Sequence, residues 1–375
     1  MHTSPTIDWT FKGEVQSLRW HSESLVPPPK KIIVADDTLA ADKAYKLVCE
    51  GTGLIWQGDF QNGKLLLQAL ARRVDRKQAE RKPAATLTES FHQHRQAQAQ
   101  RARILGMILI PIAADLSIPL RRAPAISEAL LQVYGKQDAG FVVSLRELQS
   151  VIGAYEWRKK GVMITALGNT LHPHYGVFSP VRGEYLDLIA KADLPTQALA
   201  FDIGTGTGVI AALLARRGVQ KIIATDQDDR ALICAKENIK HLGVAKAVAV
   251  TKANLFPEGR APLVVCNPPW IPAKPSSPIE YAIYDYESQM LKGFLKGLPD
   301  HLTPDGQGWL ILSDLAEHLG LRSRAHLLTW IDEAGLKIIG RDDILPRHGK
   351  AVDKSDPLFA ARSKEITSLF KLALK

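Results

Sequence analysis

At 375 residues the chain is longer than one hydrophobic core usually fills, which predicts two domains, and its 46% hydrophobic and 23% charged residues are ordinary for a soluble globular protein. The first twenty residues carry Asp8, Lys12, Glu14 and Arg19 without an apolar core, against a secretory leader, and the longest apolar run, Ile104 to Ala114, is broken by Pro111 and falls short of the roughly 20 residues a membrane helix needs. Cys49, Cys234 and Cys266 are scattered without CxxC or other ligand-like spacing, so they read as reduced cytosolic thiols, and no metal centre is predicted.

The formal net charge of +9 is uneven: residues 1 to 160 hold 23 Lys and Arg against 16 Asp and Glu. Nine of those basic residues (Arg72, Arg73, Arg76, Lys77, Arg81, Lys82, Arg95, Arg101, Arg103) lie between Ala71 and Arg103 with three acids. That stretch is either a surface for phosphate-rich RNA or a solvated helix face without a partner.

In chain order, Pro27 to Pro29 predict a stiff linker after an N-terminal arm. Helical spacing of apolar positions follows at Leu39 to Glu50, Phe60 to Val74, Thr86 to Leu105, Ala123 to Tyr134 and Ser144 to Trp157, with a strand at Val162 to Ala166. Gly51 and Gly53 in CEGTGLIW faintly echo a glycine loop later in the chain and either mark a degenerate duplicate domain or are simply turn glycines. The first 160 residues are therefore expected to form a basic, mostly helical substrate-recognition domain, and 161 to 195 a linker and a helix.

From residue 196 the pattern becomes α/β. Apolar runs of strand length at Ala198 to Ile203, Lys221 to Asp226, Ala247 to Val250, Pro262 to Cys266 and Trp309 to Asp314 are separated by amphipathic stretches at Val209 to Arg217, Asp229 to Leu242 and Ser288 to Leu298. Two late strands, Lys337 to Gly340 and Glu365 to Ala373, complete a sheet covered on both faces. Ligands of such sheets sit beyond the carboxyl ends of the strands.

Two motifs fall on that edge. FDIGTGTGV places Asp202, Gly204, Gly206 and Gly208 between the first strand and its helix. A dinucleotide loop would need its third glycine at 209, which is Val209, and the acid ahead of the glycines suits a cationic ligand better than a pyrophosphate. Asp226 closes the second strand, where a carboxylate can accept from both hydroxyls of a ribose, or serve as a turn or cap before the helix at Asp229. Asn254 follows the third strand, either facing an adenine amine or as a plain loop residue.

The second motif is VVCNPPWIP. Pro268 and Pro269 lack a backbone N–H and stop the ladder, so Asn267 and Trp270 are held stiffly at the end of the strand. This combination of amide, rigid backbone and large ring points to a purpose beyond turning the chain. The alternative for Asn267 is a turn residue, and for Trp270 a core or lid aromatic. His172 and His174 in LHPHYG lack a third ligand and read as loop residues.

Taken together, DIGTGTG, ATD and VVCNPPW resemble the class I, Rossmann-like S-adenosylmethionine-dependent methyltransferases over roughly residues 170 to 375. NPPW looks like the motif of the members that methylate planar nitrogens, and NPPWIP is nearest the HemK-type protein-glutamine enzymes. FSPVRGEYLDL is loosely similar to a conserved segment of that group, with Gly183 and Tyr185 substituted, and Asn254 stands where an aspartate is usual. The segment after the motif, AKPSSPIEYAIYDYESQM, lacks that group's glycine-rich continuation.

The resemblance implies a mixed seven-stranded sheet flanked by helices. It also implies S-adenosylmethionine as cofactor and S-adenosylhomocysteine as product, held by Asp202, Gly204, Thr205, Gly206, Gly208, Asp226, Gln227, Asn254, Leu255 and Asn267. The expected activity is methyl transfer at Asn267, Pro268, Pro269 and Trp270, in the cytoplasm, to ribosomal RNA or a protein of the translation apparatus. The alternative is a non-catalytic RNA- or protein-binding module that kept the fold.

Overall fold

The computed structural model describes residues 5–80, 82, 84–181, 183–347 and 349–375, with the side chain of Lys350 excepted; Arg81 and Arg182, named above, lie outside the described residues. The chain divides into two compact units, one running up to Ala84 with His92–Glu156, the other comprising Ala85–Phe91 and Trp157–Lys375.

The first half runs β1 (Thr6–Phe11), β2 (Glu14–Trp20), β3 (Lys31–Ala35), α1 (Ala41–Cys49), β4 (Thr52–Trp56), α2 (Phe60–Ala79), α3 (Leu87–Leu105), β5 (Ile108–Ile112), α4 (Ser127–Tyr134), β6 (Phe141–Ser144) and α5 (Leu145–Lys160). Among the described residues six strands form one sheet in the order β1-β2-β6-β5-β4-β3. Strands β3, β4 and β5 are parallel, while β6 runs antiparallel to β5.

The expectation of a mostly helical domain is therefore corrected: the helices are present, but they pack around a mixed sheet. Strands β4 and β5 are five residues long and buried throughout, so their apolar runs carry no period-2 signal, and Pro111 inside β5 argued against a strand. The β1–β2 hairpin alternates as a strand should, but it turns at Lys12 and Gly13, both left-handed (φ 51° and 83°). A lysine at the first of those positions conceals the usual Asn-Gly or Asp-Gly hairpin signal. Gly51 is the expected turn glycine at φ 85°, whereas Gly53 lies inside β4, where a Cβ would meet Leu109 Cδ1 at 2.9 Å.

The second half continues with β7 (Val162–Ile164), β8 (Asn169–Leu171), α6 (Glu184–Lys191), β9 (Leu199–Ile203), α7 (Val209–Arg216), β10 (Lys221–Asp226), α8 (Asp229–His241), β11 (Val248–Lys252) and β12 (Ala261–Cys266). It ends with α9 (Gln289–His301), β13 (Leu302–Ser313), α10 (Leu315–His318), α11 (Arg324–Glu333), β14 (Leu336–Ile344), α12 (Phe359–Arg362) and β15 (Thr367–Leu374). Among the described residues seven strands form the expected Rossmann-like sheet, in the order β11-β10-β9-β12-β13-β15-β14. Strands β9 to β13 are mutually parallel along that order, and β15 inserts antiparallel between β13 and β14.

Alternation along β12 explains the two-sided core. Leu263 and Val265 pack with α6 and α7 on one face, while Val264 and Cys266 pack with α9 and α11 on the other. Residues 161 to 195 are integral to this unit: Ile164, Leu167, Leu171, Tyr185 and Leu186 all belong to the first of those cores. No helix among the described residues is long and apolar enough to cross a membrane.

Candidate active site

The order reversal at β9 and β12 places the two motifs side by side. Cys266 pairs with Ile203 in register, so the next residues along the two parallel strands are Asn267 and Gly204. Sheets of this kind open a ligand crevice at such a switch point.

The glycine loop is built around Asp202. Its Oδ2 accepts from Thr205 Oγ1 at 2.6 Å and from the Ala211 backbone N–H at 3.0 Å, tying the end of β9 to the first turn of α7. Its Oδ1 is buried without a hydrogen-bond partner among the described residues. Complete burial pushes this carboxyl up to about 6, against the hydrogen bonds from Thr205 and Ala211 that lower it. Gly204, Gly206 and Gly208 all adopt left-handed backbone (φ 70°, 55° and 81°), so the spacing that distinguished this loop from a dinucleotide loop corresponds to three real conformational demands.

At Gly204 there is also a close approach, since a Cβ would lie 2.6 Å from Met290 Cε. Met290 reaches the loop because Glu287 and Ser288, both left-handed at φ 55°, turn the chain into α9. Asp285 satisfies that turn by accepting from the Met290 and Leu291 backbone N–H groups at 2.9 and 3.0 Å. Neither Met290 nor Asp285 was singled out from the sequence; an acid a few residues ahead of an amphipathic stretch was the available signal.

Asp226 is half-buried at the end of β10. One carboxylate oxygen accepts from the Gly206 N–H and the other from the Asp228 N–H, each at 3.0 Å. The helix cap weighed for Asp226 is filled instead by Asp228, which accepts from the Arg230 N–H at 2.7 Å. Thr205 is turned inward, with its hydroxyl on Asp202 and its N–H on the Thr225 carbonyl at 2.8 Å. Gln227 and Asn254 are exposed, and Leu255, at φ 70°, accepts from Thr225 Oγ1 through its carbonyl.

On the β12 side, Pro268 is buried and Asn267, Pro269 and Trp270 are half-buried. The Trp270 indole Nε1–H donates to Asn267 Oδ1 at 2.9 Å. The ring also packs against the cores on both faces of the sheet. Tyr185, in α6, is buried, which raises its hydroxyl well above the usual range, with Asn267 acting against that rise. Tyr185 was noted in the sequence only as a departure from a family segment, 82 positions from Asn267 and without a local signature.

The two histidines hold a loop against α8. His172 Nδ1 lies 2.6 Å from the Arg158 carbonyl and His174 Nε2 lies 2.9 Å from Glu237 Oε2. Among the described residues no group of three or more His, Cys, Asp or Glu could hold a metal ion.

A strand-order switch, a left-handed glycine loop with a buried acid, and an Asn-Pro-Pro turn thus meet at one edge of a Rossmann-like sheet. Residues 169–322 match the family described as methyltransferase small domain. The chain is 31% identical over 196 residues to a release factor glutamine methyltransferase of Cereibacter sphaeroides, covering 48% of this chain and 65% of that protein. It is 45% identical over 69 residues to a ribosomal protein L11 methyltransferase of Pelotomaculum thermopropionicum, covering 18% and 22%. Among solved structures it is similar to a methyltransferase from Pyrococcus furiosus, with 19% identity, a TM-score of 0.40, and coverage of 61% of this chain and 99% of that one. The chain thus spans less than two thirds of the length of these two curated relatives.

Proposed function

We propose that the protein is an S-adenosylmethionine-dependent N-methyltransferase acting on a planar nitrogen of a macromolecule of the translation apparatus. The observation that carries this reading is the pairing of β9 with β12, which sets the Asn267 amide next to Gly204 of the glycine loop. The cradle fits the cofactor on its own terms: a buried carboxylate oxygen without a partner suits a cationic group, and three left-handed glycines let a ligand approach the backbone. Asp202 and the glycines would hold the amino-acid end of the cofactor and Asp226 its ribose, each Asp226 oxygen having a lone pair left beyond the bonds described. Bound there, S-adenosylmethionine supplies an electrophilic methyl group on a sulfonium.

An amide or arylamine nitrogen is a weak nucleophile because its lone pair is delocalised. Asn267 Oδ1 and the Pro268 carbonyl accept its N–H groups, hold it in line and stabilise the positive charge that develops on nitrogen during attack. The methylated nitrogen then loses one N–H proton to water and returns to its neutral form.

The similarity to a release factor glutamine methyltransferase favours the side-chain amide of a protein glutamine as acceptor. A second reading, a base of ribosomal RNA, is favoured by the basic residues of α2 and α3, although Arg73 and Arg101 are already paired with Asp42 and Asp75. Incubation with tritiated S-adenosylmethionine and separated ribosomal RNA, ribosomal protein and release factor fractions tests both. Label in a protein fraction supports the first reading, label in RNA the second, and no binding of cofactor by calorimetry would leave a non-catalytic module.

A further inference from the structure

The side chain of an asparagine presents an oxygen acceptor at one end and an NH₂ donor at the other, and a half-turn about its last bond exchanges them. Only one of those orientations serves an amine acceptor: with the NH₂ turned forward, donor would face donor. The NPPW turn fixes the backbone of Asn267 but leaves that half-turn open. One contact closes it. The Trp270 indole is a donor only, so its 2.9 Å bond is satisfied by Oδ1 and not by Nδ2.

We propose that Trp270 is a positioning residue that clamps the Asn267 amide in its acceptor-binding orientation through its indole N–H on Oδ1. This rests on the reading of Asn267 as the group that holds the methyl acceptor. A carbonyl oxygen has two lone pairs, so one is taken by the indole and the other is left for the acceptor N–H. Trp270 therefore contributes something a Phe cannot: its ring packs between the cores as any large aromatic would, while its N–H sets the direction of the amide.

The test is the conservative variant Trp270→Phe, which keeps the ring. The geometric half needs no acceptor: the indole N–H resonance of Trp270, identified by its absence in Trp270→Phe, should exchange with solvent slowly in the wild type. In Asn267→Ala that protection should fall at least about tenfold, in line with losing a net hydrogen bond; unchanged protection overturns the clamp. The functional half uses tritiated S-adenosylmethionine and the fraction that accepts label from the wild-type protein. Trp270→Phe should lower kcat about tenfold or more with unchanged cofactor Kd, and should not lower it further in the Asn267→Ala background. Full kcat in Trp270→Phe overturns the clamp while leaving the methyltransferase reading intact. Full kcat in Asn267→Ala overturns that reading itself.

Discussion

Asp226 accepts from the Gly206 backbone N–H at 3.0 Å, so the acid assigned to the cofactor ribose also ties the middle glycine of the loop in place. Asp226→Ala removes both contributions and should weaken S-adenosylhomocysteine binding by roughly ten- to a hundredfold, the scale of one lost hydrogen bond to a charged group. Asp226→Asn retains an oxygen for the glycine and should lose less. Titration calorimetry on the two variants separates the roles, and an unchanged affinity in Asp226→Ala would remove Asp226 from the cofactor site.

Asn267→Ala should leave cofactor affinity near wild type while lowering turnover by about 2.7 to 4 kcal/mol in activation free energy, the loss typical of a removed transition-state dipole. Single-turnover methyl transfer from tritiated cofactor measures it.

The Asp202 carboxyl sets a pH dependence. Its folded value of about 6 lies above its ordinary 3.8, so the folded, ligand-free protein holds this proton more tightly than the unfolded chain does. Its contribution to stability is therefore most favourable below about pH 4, declines between about 4 and 6, and is constant above. A cationic cofactor favours the ionised carboxylate, so affinity should rise up to about tenfold per pH unit as pH climbs toward 6, then level off. Calorimetry from pH 5 to 8 should show this rise, and Asp202→Asn should flatten it.

Gly204→Ala imposes a side chain at φ 70° and sets a Cβ 2.6 Å from the tip of Met290. The flexible Met290 side chain can move, so the cost should be dominated by the backbone, about 1–2 kcal/mol by chemical denaturation. Cofactor affinity should fall as well, because the displaced Met290 borders the loop. A variant as stable as the wild type would contradict the left-handed geometry.

If RNA is the acceptor, its binding should weaken steeply with salt, log K falling against log salt with a slope near −0.7 per phosphate contacted on single strands. Replacing Arg72, Arg76 and Lys77 by Ala should reduce that slope. A salt-independent association would favour the protein acceptor.

The seven-stranded sheet was legible in the sequence because its parallel strands carry apolar runs and all of them but β11 are followed by a helix, and β10 was bounded to the residue. The longest error there was β13, which begins at Leu302 rather than Trp309, because Pro304, Asp305 and Gly306 read as a turn. The N-terminal sheet was hidden for other reasons: β4, β5 and β6 are too short and too uniformly buried to show a period, the β1–β2 turn lacks the usual hairpin residues, and the helices are long. Within the site, residues adjacent in sequence were visible as motifs. The approach delivered by tertiary packing, Met290 to Gly204, was not, since nothing in a local window marks a contact made from another helix.

The insertion of β15 between β13 and β14 bears on how the chain is made. During vectorial synthesis both flanking strands leave the ribosome before the one that joins them. The nascent chain therefore carries the apolar edge of β13 and the detached β14 until residues 367–374 emerge. That interval is when chaperone capture or mispairing with a neighbouring polypeptide is most favoured, and a pause in translation just ahead of residue 367 would lengthen it.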